Sequence, residues 1–356
     1  RGKDSFNHPN HKKVIQTIKY IAASVLFVTF STAISCNTDT DKQVTNSRDY
    51  NQYLELSSNS ILSAIKSDYN FWNNKLSETP NQFPYNAKLA AANSKIFELT
   101  GTISHLKMAE ENLIKANKKT NYNNAGYLRS LAKNYISQHR FKEALELITK
   151  AAYNGEKLQQ THFMLIDVHL ELGNLKKAEK YLSKVKNFSD FDYLIRLSKY
   201  NDHIGNLDNA ILYLEDALAI AKSSKNYGLI QWNYTNLGDY YGHAGRIKDS
   251  YDAYLNALKI NPNNSYAKKG IAWIVYSHER NPKEALRILA SVSKENTAPD
   301  YHLLRSEIAE FMGDLSESEN QKKIYLSKVK DEKYGAMYAK YNLLLFADDN
   351  TKKVKL

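Results

Sequence analysis

The sequence contains few of the residues that break helices or cross-link small exported folds. It has one cysteine, six prolines and 13 glycines in 356 residues. A single cysteine excludes an intrachain disulfide framework. Low contents of proline and glycine, together with abundant lysine, leucine and alanine, are typical of a chain that is helical for most of its length.

Catalytic signatures are also missing from the sequence. We find no His-Glu-x-x-His, no Gly-x-Ser-x-Gly and no glycine-rich phosphate loop. The carboxylate pairs Glu110-Glu111 and Asp348-Asp349 are adjacent in sequence, and helical geometry points adjacent side chains apart. We therefore expect neither an enzymatic activity nor a cofactor.

An excess of basic residues does not form a continuous stripe. The chain carries 49 Lys and Arg against 38 Asp and Glu, which gives a formal net charge of +11. These basic residues occur singly or in pairs, so they do not follow a phosphate backbone, and we expect no nucleic-acid binding. Solvated outer faces of helices explain most of them.

Small residues recur through the chain at intervals of 32 to 40 residues. They are Ala109, Ala144, Ala178, Ala210, Ser250, Ala285 and Ser318. A large residue follows most of them four positions later. In the most complete unit, the recurring positions are Tyr234, Leu237, Gly238, Tyr241, Ser250, Tyr254, Ala257 and Pro262.

The unit at 231–262 resembles a tetratricopeptide repeat, with Tyr for the usual Trp, Ser for Ala and Tyr for Phe. The resemblance extends over residues 84–328 as about seven units. It implies an all-α, right-handed superhelical solenoid of antiparallel helix hairpins. Two helices cross closely only where one presents a small side chain, so we expect Gly238→Leu to destabilise its hairpin by about 1–3 kcal/mol.

The sequence on either side of this array departs from the repeat pattern. Residues 48–82 are interpreted as a degenerate N-terminal helical hairpin, with Phe71 and Trp72 on its apolar face. Residues 329–347 are interpreted as a C-terminal capping helix, and 348–356 as a tail. Atypical terminal units are expected because one face of each must meet water.

The first 35 residues resemble a bacterial secretory signal. Basic residues precede a 14-residue apolar run at 21–34, which is shorter than a bilayer span requires. Cys36 follows directly, as in bacterial lipoproteins, in which that cysteine is acylated. The resemblance predicts an exported protein anchored by lipid to a bacterial membrane, with the outer membrane favoured and its face undetermined. Residues 36–47 would form a polar tether, and an uncleaved anchor helix or a cytosolic protein are the alternatives.

First helices of such arrays line a concave groove, so the resemblance implies ligand-facing positions in this chain. The candidates are Arg129, Lys133, Phe163, Asp167, Lys199, Asp202, His203, Trp232, Asp239 and His243. Aromatic, aliphatic and charged side chains of both signs suit a peptide or protein ligand. Two imidazoles, His203 and His243, are too few for a convincing metal site, so we expect no metal.

One tetratricopeptide subgroup binds C-terminal carboxylates through a fixed set of Lys, Asn and Arg. Lys133 replaces the Asn of that set and Asp192 replaces a Lys, so we expect no such binding. The sequence predicts a non-enzymatic, lipid-anchored scaffold that binds an exported or membrane protein in its groove. The alternative is an oligosaccharide-binding accessory lipoprotein of an outer-membrane transporter. Those proteins usually have interrupted repeats, whereas the repeats here are contiguous.

Overall fold

The computed structural model describes residues 43–55 and 58–348. These residues lie in the compact unit Lys42–Leu356, while the predicted signal segment, Cys36 and residues 349–356 lie outside the described residues. The secondary structure of the described part consists of 17 α-helices and one 3-10 helix, without a strand. None of the described helices is both long and apolar enough to cross a membrane.

The helices follow each other in this order: α1 (Ser47–Leu54), α2 (Ser60–Glu78), α3 (Pro84–Thr100), α4 (Ile103–Lys119), α5 (Ala125–Ser137), α6 (Phe141–Asn154), α7 (Leu158–Glu171), α8 (Leu175–Lys184), α9 (Phe191–His203), α10 (Leu207–Ser223), α11 (Tyr227–His243), α12 (Ile247–Ile260), α13 (Ser265–Ser277), α14 (Pro282–Val292), α15 (Asp300–Phe311), α16 (Leu315–Val329) and α17 (Ala339–Asp348).

Helices α3 to α16 pair in sequence as seven hairpins, from α3–α4 to α15–α16. The predicted fold class, an all-α solenoid of antiparallel helix hairpins, is confirmed. The seven recurring small residues lie on the second helices and are 0–2 % exposed. Leu237, Gly238, Tyr254 and Ala257 are also buried, whereas Tyr234, Tyr241 and Pro262 are half-buried.

Serine hydroxyls satisfy backbone carbonyls where the two helices of a hairpin cross. Ser250 Oγ donates to the carbonyl of Gly238 at 2.6 Å, and Ser198 Oγ donates to the carbonyl of Ala210 at 2.6 Å. In the seventh hairpin, Ser306 Oγ contacts the carbonyl and the hydroxyl of Ser318 at 3.0 and 2.9 Å. A serine therefore serves as the small residue without leaving an unpaired buried hydroxyl.

Two or three residues after most first helices end, a residue with positive φ turns the chain into the second helix. Glycine holds this position in four hairpins, at Gly173, Gly205, Gly245 and Gly313, with φ between 71° and 80°. His139 and Arg280 adopt the same region with φ of 58° in the second and sixth hairpins. The turn geometry is thus conserved along the array even where glycine is replaced.

The N-terminal part differs from the hairpin expected at 48–82. Helix α1 packs against α12 and α14 rather than α2, and α2 packs against α3. The reason is that Tyr50 and Leu54 of α1 are buried in the core formed by α12, α13 and α14. The end of the expected tether is also bound, since the amides of Val44 and Thr45 donate to Glu279.

The C-terminal part differs from the single capping helix expected at 329–347. Helix α16 ends at Val329, a 3-10 helix occupies Glu332–Tyr334, and α17 begins at Ala339. Gly335 lies between the two with φ of 51° and ψ of −122°, a backbone conformation that other residues rarely adopt. Tyr334 is buried against Ile103 and Leu106 of the first hairpin.

Candidate functional site: the inner wall of the array

Contacts between neighbouring hairpins define an inner side of the array. First helices of neighbouring hairpins contact each other: α5 contacts α7, α7 contacts α9, and α11 contacts α13. Among the described residues, the second helices of neighbouring hairpins contact each other less than these first helices do. We call the side chains on this side of the first helices the inner wall. We assign to it the side chains of Arg129, Lys133, Phe163, Asp167, Glu171, Asp192, Arg196, Lys199, Asp202, Trp232, Asp239, Tyr266, Lys269, Trp273, Asp300, Glu307, Glu310 and Phe311.

Ion pairs and hydrogen bonds connect successive first helices across the inner wall. Lys199 Nζ of α9 lies 2.7 Å from Glu171 Oε1 of α7. Lys269 Nζ of α13 lies 2.5 Å from Asp300 Oδ2 of α15. These contacts join first helices that are about 30 residues apart in sequence, so they fix the relative positions of the hairpins.

Phe163 and Asp167 are both engaged by Arg196, a residue that sequence reasoning missed. The Arg196 guanidinium lies 4.7 Å from the centroid of the buried Phe163 ring, and its Nη2 lies 2.9 Å from Asp167 Oδ2. Its Nη1 also lies 3.0 Å from Asp192 Oδ1. Burial raises the pKa of Asp167, and Arg196 opposes that shift. The inner wall thus holds a guanidinium between an aromatic face and two carboxylates.

Asp239 accepts two hydrogen bonds from tyrosines of different hairpins. Tyr254 Oη donates to Asp239 Oδ1 and Tyr266 Oη donates to Asp239 Oδ2, each at 2.5 Å. Burial, and then the nearby Asp239 charge, raise the pKa of both phenols. Both tyrosines therefore remain neutral donors to the Asp239 carboxylate.

The other predicted candidates occupy more varied environments. Arg129 is buried, and its Nη1 donates to the carbonyl of Glu156 at 2.8 Å and to Thr161 Oγ1 at 3.1 Å. Lys133, Asp202, His203 and His243 are exposed.

Asp202 nevertheless lies close enough to affect a neighbouring phenol. Burial, followed by the charge of Asp202, raises the pKa of Tyr240 to about 12. Within the described residues, no group of three or more His, Cys, Asp or Glu side chains could hold a metal ion.

Four large aromatic side chains of the inner wall are exposed. Trp232, Tyr266, Trp273 and Phe311 are 41, 52, 44 and 43 % exposed, respectively. Only Trp232 was predicted from the sequence. Trp273 lies 34 residues after Asp239, which is one repeat length. The repeat period therefore predicts an inner-wall position at Trp273 from the position of Asp239. Exposed aromatic residues on one face are typical of a surface that binds a partner.

These features define the class of protein as a helical repeat solenoid with an aromatic and charged inner wall. The sequence model of the tetratricopeptide repeat family matches residues 233–264. This match and the fold support a tetratricopeptide-repeat protein. No curated protein matches the sequence.

Solved structures show the same kind of fold. The Cut9–Hcn1 hetero-tetramer of the APC/C is similar over 69 % of this chain and 46 % of that chain, with 18 % identity and a TM-score of 0.52. Yeast Tom70 is similar over 92 % and 79 % of the two chains, with 11 % identity and a TM-score of 0.49. A tetratricopeptide repeat protein from Parabacteroides merdae is similar over 66 % and 92 %, with 18 % identity and a TM-score of 0.45. The chain spans less than half the length of the first of these, and the likeness establishes the fold alone.

Proposed function

We propose that this chain is a non-enzymatic scaffold that binds an exported or membrane protein along its inner wall and is held at a bacterial membrane by lipid on Cys36. The observation that carries the binding role is the set of exposed aromatic side chains on the inner wall. Trp232, Tyr266 and Trp273 come from two adjacent first helices, and charged residues separate them. Large aromatic anchors beside charged groups are enriched in protein interfaces.

The proposed lipid anchor rests on the sequence around Cys36. An apolar run, small residues and then the only cysteine of the chain support export and acylation at the outer membrane. Mass spectrometry of membrane-extracted protein is expected to show an acylated Cys36 at the N-terminus. A mature chain that still contains residues 14–34 would contradict the anchor.

Affinity capture from crosslinked membranes tests the binding role. We expect a partner that is recovered with the wild-type chain and lost with Trp232→Ala/Trp273→Ala. The matched control is Tyr153→Ala/Leu212→Ala, which removes two exposed side chains from the second helices α6 and α10. All variants need the circular dichroism of the wild type. Recovery of the same proteins with the inner-wall variant would contradict the proposed function.

A further inference from the structure

The inner wall already holds two of its own cations in the same manner. Arg196 lies against the Phe163 ring and pairs with Asp167. Lys269 lies 5.2 Å from the centroid of the Tyr301 ring and pairs with Asp300. Each cation thus has an aromatic face and a carboxylate, the combination that stabilises guanidinium and ammonium groups most effectively when water is partly excluded.

Farther along the inner wall, α11 and α15 each carry a carboxylate that has no cation within ion-pair distance, and exposed aromatic side chains lie on α11 and α13. The ion pairs of the inner wall within the described residues use Asp167, Asp192, Glu171, Asp300 and Glu310. No described Lys, Arg or His lies within ion-pair distance of Asp202, Asp239 or Glu307. Asp239 contacts the half-exposed Tyr266.

Glu307 lies on the same stretch of the inner wall. Its side chain is exposed, and the charge of Lys269, four residues before Trp273 on α13, acts on it without an ion pair. A ligand cation can therefore reach Glu307 directly from solvent.

We infer that the inner wall between Trp232 and Glu307 binds an extended peptide segment that carries arginine or lysine side chains. The inference rests on the proposed function and names the chemistry of its ligand. An acidic ligand is disfavoured because Asp239 and Glu307, two carboxylates without a cation, would repel it. The chain as a whole carries a formal charge of +11, so the attraction must come from these local carboxylates rather than from the net charge.

The spacing of the helices sets the spacing of the basic residues in the ligand. Packed helices lie about 8–10 Å apart. An extended strand rises about 3.3 Å per residue, so side chains about three residues apart reach successive first helices. A segment with arginine at every third position therefore places its guanidinium groups near Asp239 on α11, Trp273 on α13 and Glu307 on α15.

Fluorescence anisotropy with a defined probe tests this inference on the full chain in detergent. The probe is a labelled extended peptide of about 12 residues, with arginine at every third position and serine or glycine elsewhere. A second probe has citrulline at the same positions, which keeps the shape and removes the charge. We expect the arginine peptide to bind about tenfold more tightly than the citrulline peptide, and its affinity to fall as salt is added.

Matched variants locate the effect. Asp239→Asn/Glu307→Gln and, separately, Trp273→Ala are expected to weaken binding of the arginine peptide by about fivefold to tenfold. Asp216→Asn/Glu319→Gln removes two exposed carboxylates from the second helices α10 and α16, and we expect it to leave the affinity unchanged. Equal binding of both peptides, or equal weakening by the two carboxylate variants, would overturn the inference.

The two proposals fail separately. A partner that is lost with Trp232→Ala/Trp273→Ala but retained with Asp239→Asn/Glu307→Gln would support the scaffold and overturn the basic ligand. Discrimination between the arginine and citrulline peptides, without any partner that depends on the inner wall, would support the ligand chemistry and contradict the scaffold.

Discussion

The Tyr254 ring restricts two neighbouring positions, Gly238 and Gly270, to glycine. This ring lies between α11 and α13, and the Tyr254 hydroxyl reaches Asp239 on the inner wall. A Cβ atom added to Gly238 would lie 2.5 Å from Tyr254 Cε1, and one added to Gly270 would collide with the same ring. The repeat pattern predicts a small residue at Gly238. It does not predict one at Gly270, because that glycine faces a ring from the preceding hairpin.

Substitutions at these glycines test this packing. We expect Gly238→Ala and Gly270→Ala each to lower the free energy of unfolding by about 1–3 kcal/mol, because the ring has to move. Gly228→Ala is the control, since its Cβ would meet only Asn226 Oδ1, at 3.5 Å. Urea unfolding followed by circular dichroism measures all three. A loss at Gly228 as large as that at Gly238 would contradict the explanation.

Glu110 joins three donors near the turn between α5 and α6. It accepts from Lys107 Nζ at 2.7 Å, Gln138 Nε2 at 2.9 Å and Arg140 Nη1 at 2.6 Å, and its side chain is 12 % exposed. Burial raises its pKa, but the three donors outweigh burial, so the pKa lies below its usual range. Because the pKa is lower in the folded state, the stabilisation is present above the unfolded pKa of about 4.3 and is lost as the pH falls through the folded pKa.

Neutralising the Glu110 carboxylate should therefore lower the free energy of unfolding by an amount that depends on pH. We expect Glu110→Gln to lower the free energy of unfolding by about 2 kcal/mol at neutral pH, since Lys107 and Arg140 lose the carboxylate that they share. The difference from wild type should shrink as the pH falls toward about 3. Glu319→Gln, at an exposed position, serves as the control. A difference that is independent of pH would show that lost packing, not charge, explains the effect.

At the scale of elements, residues 43–55 form an N-terminal strap that is bound to the fifth and sixth hairpins. Glu279 accepts from the amides of Val44 and Thr45 at 2.9 and 2.6 Å and from Thr45 Oγ1 at 2.9 Å. Tyr251 Oη also contacts Asp49 Oδ2 at 3.0 Å. These contacts hold the strap on α12 and α14.

Loss of Glu279 should release the strap without unfolding the hairpins. We expect Glu279→Ala to accelerate tryptic cleavage after the exposed Arg48 about tenfold, because two backbone amides lose their acceptor at a cost of about 1–3 kcal/mol. Gel electrophoresis over a time course measures the rate. Glu319→Ala is the matched control at an exposed site, and equal rates for both variants would show that Glu279 does not hold the strap.

The sequence predicts elements well where their packing is local. Most hairpins repeat the spacing of Ser250 and Tyr254, and both helices of a hairpin lie within about 35 residues. The strap could not be placed, because Val44 and its partner Glu279 are separated by 235 residues and neither belongs to a repeated column. Periodicity reports which face of a helix is buried, but it does not report which distant element covers that face.

At the scale of the whole described array, the first hairpin contacts the segment that precedes α15. The amide of Thr297 donates to the carbonyl of Thr100 at 2.8 Å. Gly101 has a φ of 65°, and a Cβ there would lie 2.6 Å from Asn296 Oδ1 and 2.8 Å from Ala298 N. Nothing in the repeat pattern predicts this contact, because it depends on how small rotations between hairpins accumulate.

A single methyl group should open this contact. We expect Gly101→Ala to accelerate hydrogen exchange of the Thr297 amide about tenfold or more, because the collision separates the two segments. Gly155→Ala is the matched control, since Gly155 has a φ of 75° but no atom within 4 Å of its Cβ. Equal exchange rates of the Thr297 amide in the two variants would show that the backbone strain of alanine at positive φ, not the collision, causes the effect.

The central claim is that partners bind to the inner wall rather than to the outer helices. Site-specific photocrosslinking in cells tests it most directly, with a benzoylphenylalanine placed at Trp273 or at Tyr153. Both positions are aromatic and exposed, but Trp273 lies on the inner wall and Tyr153, which is 93 % exposed, lies on the second helix α6. We expect a discrete crosslinked partner from Trp273 and none from Tyr153. Crosslinks from Tyr153 alone, or the same crosslinks from both positions, would contradict it.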